Sequence, residues 1–181
     1  MRKIIVMGGS FNPPTMAHQR LLLGAVKELG ADQGIFVPSS HTYVSTKMRR
    51  AKLPREVLRQ DVRLRMLNAM CEDDPRLMVD DCEFHRTEKG YTYESMETIQ
   101  EKYPDAELYF LAGGDKVSVI SRWHRIREFL DRFRIIPAPD GLEGISSSVV
   151  RDKLRNNEPG AEEMLHPKVW EILMENGGMK K

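Results

Sequence analysis

Eleven residues near the start of the chain, Gly8-Gly9-Ser10-Phe11-Asn12-Pro13-Pro14-Thr15-Met16-Ala17-His18, set small residues, a threonine and a histidine in close order. Small residues after an apolar run let the backbone come close to a ligand, and a following helix N-terminus favours a phosphate. Thr15 and His18 are three apart, so at a helix start they project from one face. A second segment, Gly144-Ile145-Ser146-Ser147-Ser148-Val149-Val150-Arg151, offers hydroxyls and free N–H groups at a helix start, with Arg151 one turn on. That is an anion site in outline. Taken singly, both stretches have a commoner explanation as turns capped by Thr15 and by a serine.

Two further regions stand out for their residue types. Between Arg86 and Trp123 lie Gly90-Tyr91-Thr92-Tyr93-Glu94-Ser95 and the run Leu108–Ala112, ending in Gly113-Gly114-Asp115. On its own Asp115 reads as a helix cap, and a tryptophan such as Trp123 is more often core than ligand platform. Lys47 to Arg65 holds eight basic and two acidic residues, although the whole chain carries a formal charge of only +1. Charge runs are usually solvated surface, but a basic loop leading into a helix is suited to closing over a triphosphate.

The elements that must position these groups alternate. Lys3–Met7, Ile35–Pro38, Leu77–Val79, Leu108–Ala112 and Arg134–Pro137 read as strands. Helical spacing covers Thr15–Leu29, Arg55–Cys71, Glu94–Lys102, Arg125–Asp131, Ser147–Asn156 and Pro167–Asn176, with Gly30 placed to end the first and Pro167 to start the last. Continuously apolar strands alternating with helices predict an α/β fold, a parallel sheet covered on both faces. Ligands bind such sheets at the carboxyl ends of the strands, where the segments after Met7 and Ala112 open. Ser39–Pro54 reads as one long loop, and Trp170 as core.

Composition narrows the function classes. The chain has 181 residues, 30% charged and 40% hydrophobic, which suits one globular domain over 1–181 with a helical C-terminal part at about 145–176. Near-neutral charge excludes a general nucleic-acid coat. Cys71 and Cys82 form neither a disulfide framework nor a zinc spacing, and a reducing compartment fits them. His41, His85, His124 and His166 show no ligand spacing and default to the surface, and Asp73-Asp74 and Asp80-Asp81 are not read as a metal site. The four apolar residues Ile4–Met7 are too short for a secretory signal or a membrane span. The expectation is a cytoplasmic protein with no membrane and no nucleic-acid partner. Whether it forms a homo-oligomer is left open.

The first segment resembles the signature of the nucleotidyltransferase superfamily, a Gly-[Ser/Thr]-Phe-[Asp/Asn]-Pro turn followed by [His/Thr]-x-Gly-His, with Ala17 in place of Gly and Thr15 at the first position. The variant is most similar to the nicotinate/nicotinamide mononucleotide adenylyltransferases. The Ser146–Arg151 segment resembles that family's Ile-Ser-Ser-Thr-x-x-Arg, Tyr91-Thr92 its Ser-Tyr-Thr segment, Leu108–Asp115 its strand ending in Gly-Ala-Asp, Trp123 its Trp-[Lys/His] position, and Arg63-Leu64-Arg65-Met66-Leu67 its Arg-Leu-x-Met-Leu. The resemblance implies a Rossmann-like nucleotidyltransferase fold. It further implies transfer of the adenylyl group of ATP to nicotinate or nicotinamide mononucleotide, with Mg²⁺ travelling on ATP. By the same resemblance His18 and Thr15 are catalytic. Gly8, Gly9, Ser10, Phe11, Gly113, Asp115, Ile145, Ser146, Ser147 and Arg151 join His18 in holding ATP. Asn12, Tyr91, Thr92 and Trp123 hold the mononucleotide, and Lys47 and Arg63 are phosphate contacts. Another phosphorylated acceptor, or a non-catalytic nucleotide sensor, is the rival reading.

Overall fold

Five short apolar runs pair side by side in one parallel sheet. The computed structural model describes residues 1–53, 56–86, 91–113, 120–138 and 145–179. The strands are β1 (Arg2–Gly9), β2 (Gln33–Pro38), β3 (Leu77–Val79), β4 (Ala106–Ala112) and β5 (Arg134–Pro137), in the order β3-β2-β1-β4-β5. Among the described residues seven α-helices connect them: α1 (Met16–Leu29), α2 (His41–Arg50), α3 (Gln60–Cys71), α4 (Thr92–Lys102), α5 (Ile126–Arg132), α6 (Ser147–Asn156) and α7 (Pro167–Glu175).

The central strand explains the two layers. Ile4, Ile5 and Val6 are all at most 1% exposed, because β1 has helices over both faces. Ile5 and Met7 pack with Leu22 and Val26 of α1, Met66 of α3 and Val169 of α7. Ile4 and Val6 pack with Met96 of α4 and Phe129 of α5. Adjacent residues thus feed opposite cores, as the two-residue period of a strand requires. Since β2 lies on one side of β1 and β4 on the other, the topology switches at the carboxyl end of β1, where such sheets open a crevice.

Helix ends follow local chemistry. Gly30 closes α1 at φ +60°, a left-handed conformation that costs glycine little. Pro167 stands in the first turn of α7, as expected. His166 departs from the surface default. It is buried, its Nδ1 accepts from the Lys168 N–H at 3.2 Å as the cap of α7, and its Nε2 lies 2.9 Å from Asp73 Oδ2.

Two element expectations need correction. The segment expected as a loop over Ser39–Pro54 contains α2. Ser40 Oγ accepts from the Tyr43 N–H at 3.3 Å, and Val44 and Met48, one turn apart, are the buried anchors of an otherwise polar helix. The helix expected from Arg55 begins at Gln60 instead. Asn12 takes the Glu56 carbonyl and the Leu58 N–H for its own side chain, which holds that stretch out of helix. Trp170 packs half-buried against the core, as expected. No helix among the described residues is long and apolar enough to cross a membrane.

Candidate active site

The first eleven-residue segment folds as a turn between β1 and α1, and its two reactive side chains meet. The Thr15 backbone N–H donates to His18 Nδ1 at 2.9 Å, and Thr15 Oγ1 lies 2.9 Å from the same nitrogen. A backbone N–H can only donate, so Nδ1 is the acceptor and the neutral imidazole carries its proton on Nε2. The expected Thr15–His18 pair is therefore a built arrangement that fixes ring and tautomer together. Phe11 sets its ring edge-on to His18 with centroids 5.0 Å apart. It adopts φ +44°, and a Cβ on Gly9 would stand 3.0 Å from the Phe11 ring. The small residue lets the turn close.

The second segment docks onto this turn from more than 130 residues away. Ser146 Oγ accepts from the Val149 N–H at 3.2 Å and caps α6. Ser147 Oγ donates to the Pro13 carbonyl at 2.7 Å, and Arg151 Nη1 donates to the Asn12 carbonyl at 2.7 Å. Arg151 Nη2 reaches Ser148 Oγ at 3.1 Å, and Nε lies 3.6 Å from Glu56 Oε2. Glu56 in turn receives both arms of Arg155 at 2.6 and 2.9 Å. The two phosphate-type motifs are thus one structure, tied through backbone carbonyls.

Two expected contacts change role. Asn12, expected at the mononucleotide, is fully buried, with Nδ2 donating to the Glu56 carbonyl at 2.6 Å and Oδ1 accepting from the Leu58 N–H at 2.9 Å. Arg63, expected on phosphate, is 0% exposed and donates to the carbonyls of Ser10 at 2.7 Å and Ser39 at 2.8 Å. Burial pushes its pKa down to about 10, against the opposing charge of Glu83. Arg151, 8% exposed, is likewise lowered by burial, with Glu56 opposing. Both arginines face inward.

A cleft of about 310 Å³ opens at the end of β1. Gly8, Gly9 and Ser10 line one part, Lys47 of α2 another, and Tyr91, Thr92 and Trp123 the side beyond β4. The Trp123 ring stands edge-on to Phe110 and Phe129, with centroids 5.5 and 5.9 Å away. Four expected site residues, Lys47, Tyr91, Thr92 and Trp123, therefore line the cleft with the glycine turn, and Trp123 also packs against the core. Gly113 follows the last residue of β4 and Ile145 precedes α6, both half-buried. Asp115, with Gly114 and Gly144, lies outside the described residues.

Residues 6–153 match the cytidylyltransferase-like family. The chain belongs to that family. A Streptococcus pyogenes protein named a probable nicotinate-nucleotide adenylyltransferase is 33% identical over 82% of this chain and 69% of its own length. A Listeria monocytogenes protein of the same name is 28% identical over 96% of this chain and 95% of its own. The Plasmodium falciparum nicotinic acid mononucleotide adenylyltransferase solved with NaAD superposes with a TM-score of 0.73 over 99% of this chain and 98% of its own, at 20% identity, a likeness of fold.

The cytidylyltransferase-like cleft also holds three residues that no motif marks and one histidine expected only as surface. Tyr43, Glu83, Arg122 and His124 line it. The His124 ring stacks on Tyr91 with centroids 4.4 Å apart, and its Nε2 lies 3.4 Å from Glu94 Oε1. A signal existed for His124, which directly follows Trp123 in the Trp-[Lys/His] pattern. Tyr43 belongs to a helix that was not expected, and nothing in the sequence marked Arg122. Glu83 is buried and accepts from Ser95 Oγ at 2.7 Å. Among the described residues of the lining, Lys47 and Arg122 add two cationic side chains against the carboxylate of Glu83, a balance that suits an anionic ligand.

Proposed function

We propose that this cytidylyltransferase-like chain is a nucleotidyltransferase that joins the adenylyl group of ATP to nicotinate mononucleotide and releases pyrophosphate. The observation that carries the reading is the tie of the Thr15–His18 turn to the start of α6, with Gly8, Gly9 and Ser10 at the head of that turn lining a cleft whose other side holds Tyr91 and Trp123. The names of the relatives support nicotinate over nicotinamide as the acceptor ring.

The acceptor's 5′-phosphate attacks the α-phosphorus of ATP. A new oxygen–phosphorus bond forms to it while the bond from that phosphorus to the β-phosphate oxygen breaks, and the electron pair leaves with pyrophosphate. A phosphate monoester is already a nucleophile, so no general base is required. Catalysis then rests on alignment and on stabilising charge that builds on the phosphoryl oxygens. His18 supplies Nε2–H to an oxygen of the α-phosphate, and Thr15 holds the ring in register. Ser146, Ser147 and Arg151 meet the leaving pyrophosphate, Ser147 and Arg151 exchanging carbonyl partners for phosphate oxygens. Lys47 neutralises phosphate, and Tyr91, Thr92 and Trp123 hold the pyridine ring. The reaction is assigned to a reducing compartment, the cytoplasm, on the two free cysteines.

A divalent cation needs several oxygen ligands. Among the described residues no group of three acidic, histidine or cysteine side chains stands together, and the one carboxylate lining the cleft, Glu83, is already bonded to Ser95. The described side chains form no cage, and Mg²⁺ is assigned to the phosphates of ATP, with no step routed through it. Pyrophosphate release from ATP, measured with nicotinate mononucleotide, nicotinamide mononucleotide and an unrelated phosphorylated acceptor, tests the reading. The highest kcat/KM is expected with the nicotinate substrate. Absence of release with both pyridine mononucleotides overturns it.

A further inference from the structure

Arg63 sits with its guanidinium sealed from solvent, at the point where β1 and β2 end side by side. Its two Nη atoms donate to Ser10 O and Ser39 O, each the first residue beyond its strand. The Phe84 ring lies 5.3 Å from the guanidinium carbon, and among the described residues Nε has no hydrogen-bond partner. The Ser39 N–H adds a 2.8 Å bond to the Gly9 carbonyl, so the two strand ends are latched from both sides. Ser10 and Ser39 both line the cleft.

Ser10 carries a second observation. Its Oγ is buried and has no hydrogen-bond partner among the described residues, in a residue that forms the cleft wall. Buried hydroxyls are paired in nearly all native structures, so this unpaired one, enclosed behind the cleft wall, marks Ser10 as held in place by its backbone rather than by its side chain. A fully buried arginine is also a costly way to join two carbonyls, since an apolar side chain of that volume avoids the desolvation. What the arginine offers is a planar fork that spans two acceptors at fixed separation, which a lysine's single nitrogen does not.

We infer that Arg63 is a positioning residue: by holding Ser10 O and Ser39 O it sets the spacing of the two strand ends and so the shape of the cleft wall, formed by Ser10 and Ser39, that meets the bound triphosphate. The inference goes beyond the proposed adenylyl transfer and rests on it only for its kinetic readout.

The experiment compares Arg63→Lys, Ser10→Ala and the double variant, each checked for folding by its Tm. Arg63→Lys is expected to raise KM for ATP and lower kcat, each by roughly tenfold, and Ser10→Ala to raise KM by about fivefold. The double variant is expected to be no worse than Arg63→Lys, because Ser10 is then already displaced. Guanidinium ion added to Arg63→Gly is expected to recover part of the lost activity. Wild-type kinetics in folded Arg63→Lys, or multiplicative losses in the double variant, overturns the proposal. Failure of both Arg63 variants to fold assigns the residue to the fold alone and also overturns it. ATP-induced stabilisation is read in parallel. If the wild type releases no pyrophosphate but is stabilised by ATP, adenylyl transfer fails while a smaller thermal shift in Arg63→Lys still supports the positioning role.

Discussion

Replacement of His18 by alanine tests the core of the chemistry. The side chain is held by the Thr15 N–H, which donates to Nδ1 at 2.9 Å, with Thr15 Oγ1 2.9 Å from the same nitrogen, and its ring touches Phe11 edge-on, so the Nε2–H direction is set before any ligand arrives. A preorganised donor that meets charge developing in a transition state contributes about 3–4 kcal/mol, so kcat is expected to fall roughly 10²–10³-fold. The ground-state loss is smaller. One capping interaction at about 1 kcal/mol lowers Tm by roughly 2–4 °C in a chain of this size. Thr15→Val sharpens the comparison, because it removes the hydroxyl but keeps the backbone donor, and about a fivefold loss of kcat is expected. The assay is pyrophosphate release at saturating ATP and mononucleotide, with Tm followed by calorimetry. A His18→Ala kcat within about threefold of wild type refutes the assignment. Equal losses in Thr15→Val and His18→Ala would move the donor from the ring to the hydroxyl.

Three further outcomes follow from other parts of the molecule. Trp123→Ala removes an aromatic face from the cleft, and at about 1–3 kcal/mol per stacked ring KM for the mononucleotide should rise roughly 5–100-fold while KM for ATP stays within about twofold; an equal rise for both substrates would contradict the placement. Glu56→Gln breaks the two-armed pair with Arg155 at a buried carboxylate and is expected to cost about 2–3 kcal/mol, or roughly 5–10 °C in Tm, read by thermal unfolding; an unchanged Tm counts against the clamp. The Asp73 carboxyl is held below the ordinary range first by the Gln19 hydrogen bond and then by the charge and hydrogen bond of His166. A depressed carboxylate adds stability above its unfolded pKa of about 4, and the gain is lost as pH falls through the folded value. Thermal unfolding between about pH 4 and pH 2 should therefore be steeper in the wild type than in Asp73→Asn; parallel curves would remove the group from the account.

The sheet was legible because each strand carries a continuous apolar run, buried on both faces in the centre of the sheet at Ile4–Val6 of β1 and Ile35–Val37 of β2. Arg134–Pro137 and Leu77–Val79 even match to the residue. What escaped depends on long-range contacts. α2 carries its apolar signal on Val44 and Met48 alone, too little periodicity to separate a helix from a polar loop. The late start of α3 is decided by Asn12, a residue 44 positions earlier whose side chain claims the backbone there. At the site, motif residues named their neighbourhood well and their partners less well. Thr15 and His18 meet as their spacing requires, whereas Asn12 and Arg63, polar residues of the same motifs, serve the backbone from inside. A sequence pattern marks a polar residue as necessary without telling which side of the wall it faces.

The position of β1 at the centre of the sheet also sets a clock for biosynthesis. One edge of this strand pairs with β2 within the first 40 residues, but Arg2, Lys3 and Ile4 find their other partners at Ala106, Glu107 and Leu108. At about 5–20 residues per second of translation, that second edge waits several seconds or more for its mate to be made. Throughout the interval the apolar Ile4–Val6 edge is an open template for any extended chain nearby. The molecule is thus most exposed to mispairing while it is being synthesised, along the same strand that later carries the glycine turn.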